Sequence, residues 1–197
     1  GERVSVLVIG GLLFYLFSAL VITLPAALVG LFAAVALLVR PGVPGDTIIR
    51  FWKGFRRSFG RALLLGLIDL VLGAVLWLDF RFFWAMGSPA AKVGAFVFAS
   101  LGLVLAMANV YAWPLLAWYP QPLGKLLRRS LLLAAAHPFY ALGALACCLV
   151  GWILLWLLPG LYKGLLVLLG PAGGALIFGL FAWQAMKRYA GPDDEFE

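Results

Sequence analysis

The stretch VSVLVIGGLLFYLFSALVITLPAALVGLFAAVALLV, Val4–Val39, holds 36 residues without one charge. As a single helix it would be about 54 Å long, well beyond the ~30 Å hydrocarbon core of a bilayer. Thr23-Leu24-Pro25 divides it. Proline has no N–H to donate and its fixed φ suits the first turn of a new helix, while Thr23 stands where a cap belongs. The reading is a hairpin over 4–39 with Thr23 and Pro25 as its hinge, passing at Val4–Ile22 and again at Pro25–Val39. A single kinked helix or a re-entrant segment is the alternative.

The rest of the chain agrees with a membrane setting. Of 197 residues, 65% are hydrophobic and 12% charged, and the mean hydropathy is +1.07. A soluble domain is roughly half apolar and about a quarter charged, so these charges cannot clothe a water-facing surface. Four further segments have the length and apolarity of a span: Ala62–Trp84, Val93–Trp113, Leu131–Leu158 and Gly164–Met186. The expected architecture is an all-α, polytopic transmembrane helix bundle with six spans, or five if the first hairpin is one kinked helix.

The basic residues give the orientation. Arg40, Arg50, Lys53, Arg56, Arg57 and Arg61 fall in one connection, Lys125, Arg128 and Arg129 in another, and Lys187 and Arg188 follow the last span. Alternate crossings bring all three groups to one side, the cytoplasmic side by the positive-inside rule. With six spans Arg3 joins them, leaving Arg81, Lys92 and Lys163 outside. The expectation is a multi-pass membrane protein with both termini cytoplasmic. Its net charge of +7 then serves topology and contact with anionic headgroups, not nucleic acid.

Within the first basic connection, Ile48, Trp52, Phe55 and Phe59 repeat at helical spacing while Arg50, Lys53, Arg57 and Arg61 take another face, with Asp46 at the start. This predicts an amphipathic interfacial helix over 46–61, before the third span, its aromatics toward acyl chains. Arg50, Trp52, Lys53, Phe55, Arg56 and Arg57 are the candidates for an anchor or partner surface. Gly124-Lys125-Leu126-Leu127-Arg128-Arg129-Ser130 echoes Lys53-Gly54-Phe55-Arg56-Arg57-Ser58, and each leads into a span. The remainder divides into hairpins at 62–118 and 125–189, read as a parallel repeat, and an acidic tail at 190–197. Tyr111, Trp113, Trp118 and Tyr119 read as an aromatic belt, and Cys147 and Cys148 as small buried residues.

Asp69, Asn109 and His137 fall on three spans at similar depth, in the cytoplasmic half. Ionisable groups there are expensive and mark candidate sites. The three are read either as one intramembrane polar pocket or proton relay, or as packing hydrogen bonds between helices. With one histidine and no Cys/His ligand set, the sequence offers no metal site, no cofactor and no catalytic constellation. Small residues over Gly94–Gly102 and Gly143–Gly151 are compatible with a homo-oligomer.

Three stretches carry a family resemblance: Thr23-Leu24-Pro25-Ala26, Phe51-Trp52-Lys53-Gly54-Phe55-Arg56-Arg57-Ser58-Phe59, and Tyr111-Ala112-Trp113-Pro114-Leu115-Leu116-Ala117 running on to Leu126-Leu127-Arg128-Arg129. In them the chain resembles the YesL-like family of bacterial integral membrane proteins, a family of unknown function. The resemblance implies association with carbohydrate uptake, with ABC transporter permease subunits as partners. It carries over no catalytic residue. The resulting expectation is a non-enzymatic accessory of a solute transport system, or alternatively a small transporter or lipid-handling protein using Asp69, Asn109 and His137.

Overall fold

A computed structural model describes residues 6–12, 23–39, 46–119, 121–157 and 160–187. Residues 6–12 are helical, and six longer helices follow: α1 (Leu24–Val39), α2 (Thr47–Ala85), α3 (Pro89–Trp118), α4 (Leu123–Ala136), α5 (Pro138–Leu157) and α6 (Gly160–Met186). Four have a stretch long and apolar enough to cross a membrane, namely α2, α3, α5 and, over its Leu169–Met186 portion, α6. The first span expected at Val4–Ile22 is described only over 6–12, and the acidic tail at 190–197 lies outside the described residues.

The hinge falls where proline chemistry puts it: α1 begins at Leu24 with Pro25 in its first turn, directly after Thr23. A helix apolar on every side needs either protein or lipid around it, and α1 has protein: Ala26, Ala27, Val29, Leu31, Phe32, Ala34, Val35 and Val39 are buried. α1 packs on α2, α3 and α6. In a bilayer such packing depends on close approach between small residues. At Gly54 of α2 a Cβ would lie 2.6 Å from the Ala33 Cβ of α1, and at Gly66 one would lie 2.7 Å from Pro25 Cγ. These contacts run the two helices antiparallel, with the apolar α1 alongside residues 47–66 of α2 rather than beside its apolar outer half.

Two expectations change here. The amphipathic segment 46–61 is not a separate interfacial helix but the first part of the 39-residue α2. Arg61 and Ala62 mark a change of composition only, and no proline interrupts the backbone hydrogen bonds there. Phe55, expected to face acyl chains, is buried, as are Phe51, Gly54 and Ser58, and Phe51 and Gly54 lie against Gly30 and Ala33 of α1. The span expected at Leu131–Leu158 is broken at His137. Proline disfavours helical geometry in the residue before it, and His137 sits at φ −131°, ψ 59°, ending α4, while Pro138 opens α5. The two repeat units thus keep one order of elements, but the basic segment joins its span smoothly in the first and through a corner in the second.

The buried side chains gather at the basic end: residues 51–65 of α2, 108–118 of α3, 126–134 of α4, 141–144 of α5 and 172–186 of α6. Tyr111 and Trp118 belong to this core rather than to an interfacial belt, because each has a polar atom that finds a partner inside. The Tyr111 hydroxyl donates to the His137 carbonyl at 2.8 Å, and Trp118 Nε1 donates to the Phe32 carbonyl at 2.9 Å. Away from that end the helices turn large apolar side chains outward, among them Leu70, Leu78, Val93, Phe96, Trp152 and Trp156. Cys147 is exposed there and Cys148 half-buried, so neither is a core residue. The α2–α3 turn rests on Gly87, at φ 70°, and on Ser88, whose Oγ accepts from the Ala91 N–H at 3.2 Å. α6 stays helical through Pro171, Gly173 and Gly174.

Candidate functional site

Residues 46–61 present three faces because helical positions advance about 100° per residue. Phe51, Gly54, Phe55 and Ser58 make a buried face, which meets α1 at Phe51 and Gly54. Arg50, Lys53 and Arg57, at i, i+3 and i+7, make a second face. Ile48, Ile49, Trp52 and Arg56 make a third that is mostly exposed, with the Arg56 guanidinium 5.8 Å from the Trp52 ring centre.

The second face borders a cavity of about 470 Å³, within the size range of small-ligand sites. Arg50, Lys53 and Arg57 line it from α2, Ala33 and Ala36 from α1, and Ala117 and Trp118 from the end of α3. Asp46 lines it too. It holds the N-cap position of α2, but its side chain makes no capping bond. The indole of Trp118 is fixed by its bond to Phe32 and by an edge-on contact with Trp183 of α6, ring centres 6.4 Å apart. The result is a chamber with cations on one wall and small apolar side chains and an indole on the others.

The polar layer divides in two. Asn109 Nδ2 donates to Asp69 Oδ1 at 3.1 Å, joining α3 to α2 at membrane depth. His137 lies at the corner between α4 and α5, its ring edge-on to Tyr140 with centres 5.8 Å apart. Tyr111, which holds that corner, is two residues beyond Asn109 and so roughly 200° around α3. Asp69 and Asn109 therefore meet on one side of α3, and His137 sits at the other.

Sequence reading missed Gln121. This buried residue takes a bond from Arg129 Nη1 on its Oε1 at 3.1 Å and one from Arg61 Nη1 on its carbonyl at 3.4 Å. It thereby ties α2 and α4 to the link after α3. A polar residue set directly before Pro122 was the available signal. Among the described residues no group of three His, Cys, Asp or Glu could hold a metal ion.

The helices and their exposed apolar flanks define a membrane-embedded helix bundle. Its residues 7–80, from the first helical segment through most of α2, match a family profile described as "Protein of unknown function, DUF624". No curated protein and no solved structure matches the chain.

Proposed function

We propose that the protein is a non-enzymatic accessory of a membrane solute-transport system, docking on its partner through the outward face of the first half of α2. The observation that carries this reading is the exposure of Ile48, Ile49, Trp52 and Arg56 on a helix whose opposite side is locked against α1. Aromatic and Arg side chains on a rigid support are the usual anchors of protein interfaces. The resemblance to the YesL-like family points to a carbohydrate ABC permease as the partner. The basic segments lie on the cytoplasmic face of a bacterial inner membrane, an orientation that is the same whether the first apolar run makes two crossings or one, since only the N-terminus then changes side.

Capture from native membranes in mild detergent, comparing the unaltered protein with W52A/R56A, tests this. The unaltered protein should bring down permease subunits in near-equal amount, and the variant should lose at least tenfold while still inserting. Equal recovery by both overturns the reading. A second reading rests on the Asp69–Asn109 bond at membrane depth: a small transporter in which Asp69 handles a proton or solute. It requires D69N to abolish a flux in liposomes, and unchanged flux removes it.

A further inference from the structure

We propose that the chamber lined by Arg50, Lys53, Arg57 and Trp118 is a binding site for the phosphate of an anionic phospholipid. Three cations at i, i+3 and i+7 line one wall, against a single carboxylate, Asp46, among the described lining residues. That balance favours an anion, and Arg and Lys donors give charge-assisted bonds to phosphate oxygens. The other walls decide between a free anion and an amphiphile. Ala33, Ala36, Gly54 and Ala117 offer no hydrogen-bonding side chain, and the indole N–H of Trp118 is already given to Phe32. Phosphate alone would leave those walls to water, whereas a glycerol backbone and the start of an acyl chain cover them with apolar surface. Ile49 borders the chamber and is exposed beside it, so an apolar path leads outward from the cations.

This site meets the docking face only at Ile49. It uses Arg50, Lys53 and Arg57 rather than Ile48, Trp52 and Arg56, and it stands or falls independently of any transport partner.

The test is native mass spectrometry of the protein in dodecyl maltoside, titrated with short-chain phosphatidylglycerol, matched short-chain phosphatidylcholine, or inorganic phosphate. One phosphatidylglycerol should bind at least tenfold more tightly than phosphatidylcholine. K53Q/R57Q should weaken it tenfold or more, and R57Q alone by a smaller factor. K125Q/R128Q, which removes as much charge from α4, should leave it unchanged. Lys53 and Arg57 are exposed, so helical content and elution volume should stay as in the unaltered protein. Undiminished binding in K53Q/R57Q, or an equal loss in K125Q/R128Q, overturns the site. Inorganic phosphate binding as tightly as the lipid, and displacing it, overturns the lipid assignment and leaves a free-anion site on the same cations.

Discussion

At Tyr111 a hydroxyl leaves the core of α3 to hold the carbonyl of His137, at the corner between α4 and α5. Removing it with Y111F should cost about 1 kcal/mol, read as a lower midpoint in detergent unfolding; an unchanged midpoint would mean the corner holds itself. Gly87 makes a different demand, since its φ of 70° lies where a side chain costs about 1–2 kcal/mol. G87A should therefore destabilise the outer α2–α3 turn by about 1 kcal/mol in the same assay, and G73A, with open space where its Cβ would be, should not destabilise at all. Asp69 was identifiable from the sequence by depth alone, and so was Asn109. His137 was misplaced because depth along a helix carries no information about direction around it, and two residues along α3 separate Asn109 from Tyr111 by more than half a turn.

The antiparallel pair of α1 and α2 depends on Gly54. A methyl group there would sit 2.6 Å from the Ala33 Cβ, a side chain with no freedom to move aside. G54A should lower the unfolding midpoint, and A33G added to it should restore most of the loss, because the next nearest atoms are at 3.4 Å. Absence of rescue would mean that the helices are not in contact here. The same pair shows what the sequence could and could not say about elements. Pro25 placed the start of α1, because proline acts on the backbone within a turn. Arg61 did not end a helix, because a change from basic to apolar side chains alters the surroundings a helix prefers and not its hydrogen bonds. Pro138 did end one, and its position inside a long apolar run disguised a corner as the middle of a span.

Seen whole, the molecule has a tightly packed basic end and, beyond it, helices whose side chains face outward. Trp118 is 9% exposed while Trp156 is 73% exposed. In bilayers of brominated lipid, a variant keeping only Trp77 or Trp152 should be strongly quenched and one keeping only Trp118 hardly at all. Strong quenching of Trp118 would mean that α1 and α6 do not cover it. Hydropathy made the membrane setting plain from the sequence, since a charged fraction of 12% cannot solvate the chain. The location of the core was hidden, because apolar residues that meet lipid and apolar residues that meet α1 have the same composition.

The central feature of the fold is that α2 continues as one helix from its basic half into its span. Nitroxide labels at Lys53 and Val75, both exposed and on nearly the same side of α2, measure this directly in nanodiscs once Cys147 and Cys148 are replaced by serine. A continuous helix places the two backbone positions about 33 Å apart at 1.5 Å per residue, and a pulsed electron–electron distance distribution centred near that value is the predicted result. A right-angle bend at Arg61, with the basic segment lying in the interface, would bring them to about 24 Å at the same rise per residue, and a distribution centred there would contradict the account.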